Sequence, residues 1–182
     1  MRLHTKETAE THLTLLENYK NRLGQLEDFK ENQEEKETPF ERSFLHNAIL
    51  LHELWFEQLE DTKEDTKAPL LEEILARRES DLSTFQDWLG EFAHAASPHG
   101  WVVWGWSHTL KTFVAFPIKS HDENVPLGIT PLLVIDCWEH SYITDYGIQF
   151  HEYLTQFWHD LNWDVIDRRH KELATMYGYD LK

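Results

Sequence analysis

Residues 97–118, "SPHGWVVWGWSHTLKTFVAFPI", are where the chain changes its periodicity. Before them apolar residues recur at helical intervals. The proline and glycine of "SPHG" stop that pattern, and "WVVWGWS" and "TFVAFPI" follow as β-branched and aromatic runs joined by a short polar turn. A third run, "PLLVID" at 131–136, comes after a loop containing Gly128. Three strands this close in sequence predict a small antiparallel sheet.

Upstream, Leu13, Leu16, Tyr19, Leu23, Leu26 and Phe29 fall at helical spacing, so residues 1–31 predict a helix with one face on a partner. "NQEEKET" breaks it. Thr38, Pro39 and Glu41 supply an N-cap, a first-turn proline and a capping-box acid for a second helix through "FLHNAILLHELWFEQL". The two form a helical hairpin. The tandem "EDTKEDTK" at 60–67 reads as a solvated loop, and Leu70–Arg78 and Leu82–Ala96 as two more helices. Downstream of the strands, "GIQFHEYLTQFWHDL" and "DVIDRRHKELATMY" return to helical spacing. The expected class is α+β: a helical N-terminal lobe over 1–97, whose helices from about 68 already belong to the packing of the second, and a C-terminal lobe over 98–182 with a three-stranded sheet flanked by helices.

The totals narrow the function. With 182 residues there is one sizeable core to build, and eight Trp, ten Phe and twelve His give it aromatic bulk with imidazole to spare. A formal charge of −16 disfavours contact with phosphate backbones, because nucleic-acid affinity comes from Lys and Arg displacing counterions. No run approaches a membrane span, and the N-terminus lacks the apolar core of a signal peptide. A soluble intracellular protein, of cytoplasm or organelle matrix, is expected. Cys137, the one cysteine, cannot form an internal disulfide and reads as a small buried hydrophobe.

The chemistry gathers at "PLLVIDCWEH", residues 131–140, where a strand ends in Asp136, Cys137, Trp138, Glu139 and His140. Asp-x-x-x-His sets a carboxylate and an imidazole about one helical turn apart, within reach of one metal ion if a helix begins there. Alone the pair is better read as a cap and a surface residue. It gains weight only if imidazoles arrive from other elements.

"PLLVIDCWEHSYITDYG" at 131–147, "WGW" at 104–106 and "FWHDLNWDVI" at 157–166 occur in the order found in the iron/manganese superoxide dismutase family, which the chain resembles over nearly its whole length. The resemblance implies a metal held by three His and one Asp, with solvent in a fifth position. On this chain those are His4 of "MRLH", His52 of "HNAILLHELWF", Asp136 and His140. It implies one iron or manganese ion per subunit, cycling by one electron to convert superoxide to dioxygen and hydrogen peroxide. Zinc fits such donors but has no second valence.

The same resemblance assigns neighbours. His121 falls where the family hydrogen-bonds metal-bound solvent through a Gln or His, the alternative position being filled by Ala48. Trp104 and Trp138 correspond to aromatic walls. Glu139 corresponds to an acid that reaches the partner subunit's ligand His across a homodimer, around His140. The gateway departs from the pattern. His12 stands where the family has a tyrosine, Thr8 and Ile143 replace a His and Tyr that pair across the dimer, and Phe150 replaces an arginine near the channel. The paired loss of Thr8 and Ile143 partners leaves no buried donor stranded, while His12 becomes the expected proton donor. The chain also starts three residues before His4, without the arm expected ahead of that helix. Two alternatives follow from these departures: a dismutase-like subunit kept for its fold within a larger assembly, or a site acting on another oxygen species. His46, His94, His99, His108, His151, His159 and His170, with Trp55, Trp88, Trp158 and Trp163, read as surface or packing residues.

Overall fold

The computed structural model describes residues 3–27, 40–60 and 66–178. Within them lie, in chain order, α1 (Lys6–Glu27), α2 (Glu41–Glu57), α3 (Pro69–Arg77), α4 (Leu82–Ala96), β1 (Trp101–Ser107), β2 (Thr112–Ile118), β3 (Ile129–Asp136), α5 (Glu139–Tyr146), α6 (Phe150–Asp160) and α7 (Trp163–Tyr177). The class is α+β, with helices first and a sheet flanked by helices after. The three strands pair antiparallel in the order β2-β1-β3, so β1 is central and buried along its whole length. Its register against β3 breaks between Trp104 and Gly105. A Cβ on Gly105 would meet the Thr130 carbonyl oxygen at 2.2 Å, so the irregular crossing of the two strands requires glycine there.

Local chemistry fixes the helix ends where they matter. Asp81 caps α4 by accepting from the Thr84 N–H, and Asn162 caps α7 by accepting from that of Asp164. The Thr38–Pro39 start expected for α2, Phe29, and most of the "EDTKEDTK" loop lie outside the described residues. Two differences concern the site directly. The strand-to-helix junction after β3 opens a helix of its own, α5, ahead of the one expected from residue 147. On α1, Leu13 is exposed (48%), and the buried stripe runs through Thr8, His12 and Leu16 at steps of four. Helical period alone did not choose between these neighbouring faces.

Three ties lock the strand that carries Asp136. The edge of β3 away from β1 is covered by side chains: the Gln58 amide donates to the Val134 carbonyl and accepts from its N–H at 3.2 Å. Arg169 donates to the Leu132 carbonyl on β3 (2.9 Å), to Leu54 O (2.8 Å) and to Glu57 (2.6 Å) on α2. The Tyr153 hydroxyl donates to the Asp136 carbonyl at 2.7 Å. An edge that would otherwise present open backbone groups is thereby joined to α2, α6 and α7. Cys137 is free and buried in the core, as expected of a small hydrophobe. No described helix is long and apolar enough to cross a membrane.

Candidate metal centre

Four elements converge behind the end of β3. His12 comes from α1, His52 from α2, Asp136 from the last position of β3 and His140 from the first turn of α5. One donor atom from each lies within 4.8 Å of all the others. Asp136 is the hub: its Oδ1 accepts from the Trp138 N–H at 2.9 Å, and its Oδ2 stands 3.3 Å from His12 Nε2 and 3.3 Å from His140 Nε2. Two atoms bound to one first-row ion at roughly 2.1 Å sit roughly 3–4 Å apart, so the spacing matches what a shared ion needs.

His52 shows how the fold prepares a donor. Its Nδ1 lies 2.6 Å from the Ala48 carbonyl one turn back, and because a carbonyl only accepts, the proton sits on Nδ1 and Nε2 keeps its lone pair. That Nε2 is buried without a hydrogen-bond partner, as are Asp136 Oδ2, His140 Nε2 and both ring nitrogens of His12. A buried polar atom left unpaired costs on the order of 1–3 kcal/mol. Several such atoms facing one point fit a cation, which satisfies lone pairs that hydrogen bonds here do not.

Electrostatics agree. Burial by itself would raise the Asp136 carboxyl, but His140 and His12, each 3.3 Å from its Oδ2, outweigh it and hold the group well below the usual range. Burial lowers His52 to about 3, so its ring is neutral and able to ligate at neutral pH. For His140 burial works downward, yet the Asp136 carboxylate beside it leaves the net shift upward. Of the four, the His140 side chain is the one solvent reaches, at 30% exposure.

The remaining expected residues divide. His121 is buried beside the group, its ring 5.7 Å from that of His52 and stacked at 5.4 Å on Trp138, with both nitrogens unpartnered and its pKa lowered by burial to about 4. The Asn47 side chain fastens its loop by donating to the His121 carbonyl at 2.7 Å. Trp138 also lies 6.0 Å from His140, ring to ring. Glu139, next to it, is exposed. Ala48 is fully buried and serves the site through its carbonyl.

His4 and Trp104 are placed otherwise than expected. His4 precedes α1 and lies outside the four-donor group: its ring is 6.1 Å from that of His12 and 5.3 Å from that of Trp55, and its Nδ1 is 3.5 Å from Asp145. Asp145 also accepts from the Thr5 N–H and from the Thr5 and Thr8 hydroxyls, so the Thr8 side chain is spent holding the start of α1. Trp104 faces away from the site and lines a cleft of about 260 Å³ with Phe85, Trp88 and Phe113. The aromatic wall is Trp101, whose ring is 4.9 Å from His52 and whose register partner on β3 is Asp136. Residues three apart on a strand point to opposite faces, and that parity was the available signal for Trp101 over Trp104. Tyr19 was also missed as a site residue; its ring is 5.7 Å from His52 and 5.8 Å from His121. Of the other gateway positions, Ile143 is exposed, and Phe150 is buried against Tyr142, Tyr153 and His94.

A sheet whose strand end and following helix supply Asp and His, closed by imidazoles from two N-terminal helices, defines an α+β protein with a group of N and O donors that could hold a metal ion. Residues 66–169 match the C-terminal domain of the iron/manganese superoxide dismutases, and the chain belongs to that family. It is 31% identical over 141 residues to "Superoxide dismutase [Mn]" of Nocardia asteroides, covering 68% of this chain and 67% of the relative. It is 28% identical over 173 residues to the protein of that name from Mycobacterium lepraemurium, covering 92% and 80%. With "Superoxide dismutase [Mn]" of Haloarcula marismortui identity is 36% over 93 residues, which is 50% of this chain and 46% of the relative.

Proposed function

We propose that the protein is a metal-dependent superoxide dismutase, combining two superoxide anions and two protons into dioxygen and hydrogen peroxide. The observation that carries the reading is the group of buried imidazole and carboxylate donors facing one another without hydrogen-bond partners, in a chain of this family. His52, Asp136 and His140, with an imidazole from the N-terminal end of the molecule, would hold one iron or manganese ion per subunit. When bound, either metal supplies a one-electron change of valence, which zinc in the same donors does not.

The chain's own residues do the rest. Asp136 contributes one negative charge among neutral rings, which suits a hard cation and leaves the site net positive once it is loaded, able to attract an anion into a protein of charge −16. The partly exposed His140 marks the side from which a small anion arrives. Neutral His121 carries one N–H and one lone pair, and it offers a hydrogen bond to an oxygen species or solvent beside the donors. Trp101, Trp138 and Tyr19 exclude bulk water around it. Exposed Glu139 at the start of α5 supports the homodimer expected from the family, through contact with the partner subunit near His140.

The replaced gateway favours a second reading, a dismutase-like subunit that holds metal without rapid turnover. Thr8 is engaged by Asp145, and Phe150 brings no charge to the channel. One pair of measurements decides. Elemental analysis of protein from iron- and manganese-replete cells is expected to give near-stoichiometric iron or manganese, and the same sample is expected to remove superoxide, with Asp136→Ala losing both. Full loading with negligible superoxide removal selects the subunit reading. Zinc alone, or no metal, overturns both.

A further inference from the structure

We infer that the cleft on the opposite face of the sheet from the donor group is a binding site for a small aromatic carboxylate. It stands apart from the metal reading, because Trp104 lines the cleft while Trp101, three residues away on β1, walls the donors. The cleft has a volume of about 260 Å³, at the small end of ligand pockets, and opens between α3, α4 and the sheet. Its walls are rings. Phe85 and Trp104 meet edge to face at 4.9 Å, Trp104 and Phe113 stack at 5.3 Å, and Trp88 extends the row at 6.2 Å from Phe85. Phe85 and Trp104 are buried while Trp88 is 39% exposed, so the row makes a floor with one indole standing at the mouth. Aromatic surfaces in a slot of this size favour a flat guest of one or two rings, received by stacking or edge contact.

The rim supplies the charge. Arg78, at the end of α3, and Ser80 both line the cleft, and the chain reverses between them at Glu79, whose φ is 55°. Among the described residues Arg78 has no carboxylate partner: its guanidinium donates to the Thr112 hydroxyl at 3.1 Å and keeps further N–H groups to give. Such a cation stands out in a chain with 33 acids against 17 Lys and Arg. Of the acids near it in sequence, Glu73 pairs with Arg77 and Asp81 caps α4. A guanidinium recognises a carboxylate through two parallel hydrogen bonds, and the apolar slot beside it takes the rest of the ligand. An anion without a ring gains nothing from the floor, and a ring without a charge leaves the guanidinium to water. The occupant that uses both is an aryl or indolyl acid.

The probe is indole-3-acetate, with indole-3-ethanol as its uncharged counterpart, each titrated into the whole chain by calorimetry. The acid is expected to bind once per chain with a Kd below about 1 mM, and the alcohol about tenfold more weakly. Arg78→Gln should erase that preference, bringing the acid to the alcohol's affinity while the alcohol stays within about twofold. Trp88→Ala should weaken both by about fivefold or more. Both substitutions fall at exposed positions, so the fold is expected to survive them. Because carboxylates also bind metal ions, the acid is titrated into Asp136→Ala, where its Kd should stay within about twofold. Binding lost in Asp136→Ala but kept in Arg78→Gln puts the anion at the donors and overturns the inference. So does an acid that fails to bind, or binds no better than the alcohol. A cleft covered by a second copy of the chain gives no probe binding, together with slower sedimentation of Trp88→Ala than of the wild type, and overturns it as well. Should Asp136→Ala fail to fold, the Arg78→Gln titrations still separate the two sites.

Discussion

His52 and His170 are nearly the same residue on opposite faces of the sheet. Each is buried on a helix, each has Nδ1 against the carbonyl four residues back, at Ala48 and Ile166, and each leaves Nε2 unpartnered. Each meets a tryptophan of β1 edge to face, His52 on Trp101 at 4.9 Å and His170 on Trp104 at 5.2 Å. Burial lowers both, to about 3 and about 4. Yet one faces Asp136 and two further imidazoles, and the other faces Phe113 and the aromatic cleft. The local hydrogen bond that prepares a histidine to ligate is therefore not what makes a site. A carboxylate delivered to the same point is.

The most damaging way to break the contrast is to remove that carboxylate. Asp136→Ala should take bound iron or manganese from near one per chain to below roughly a tenth, read by elemental analysis, while circular dichroism shows the fold retained. Next comes the matched pair of histidines. His52→Leu is expected to weaken metal binding more than tenfold, whereas His170→Leu leaves stoichiometry unchanged, because no second donor accompanies it. Equal metal loss in the two would erase the distinction.

The frame that aims the donors can be tested apart from them. Gln58→Leu leaves the N–H and C=O of Val134 unpaired at the edge of β3 and should lower stability by roughly 2–4 kcal/mol in urea denaturation. The smallest effect expected is the pH response of His170. Its folded pKa, near 4, lies below the ordinary 6.5, so as pH falls through 6.5 the unfolded chain takes up a proton that the folded one refuses until about 4. Stability is lost across that window, by at most about 3 kcal/mol. His170→Leu should show a shallower decline than the wild type between those pH values, in metal-free protein, and parallel curves would remove His170 from the account.

Much of this was legible beforehand. The change of period at "SPHG" set off β1 and β2, and the proline and glycine there end the helical spacing of Leu82–Ala96, which is α4. The spacing of Asp136 and His140 was legible locally, but by itself it read better as a cap and a surface residue, and only the resemblance made the two a site. His52 was legible only through resemblance. The choices that failed were choices of face: Leu13 was set on the covered side of α1, where it is exposed, and Trp104 was taken for the site wall where Trp101 stands. Period fixes which residues share a side but not which side is covered.

The sequence by itself determined the three-stranded sheet, the helices other than α5, and the four-residue spacing of Asp136 and His140 at the end of β3, since these depend on residues close to one another along the chain. Only the tertiary structure decided that His12 stands 3.3 Å from Asp136 while His4 lies toward Asp145, and that Trp101 rather than Trp104 walls the group. The reason is that a donor group is a point in space reached from four separate elements. Its membership is set by how α1 and α2 pack on the sheet, through ties such as Gln58 to Val134 that no local pattern announces.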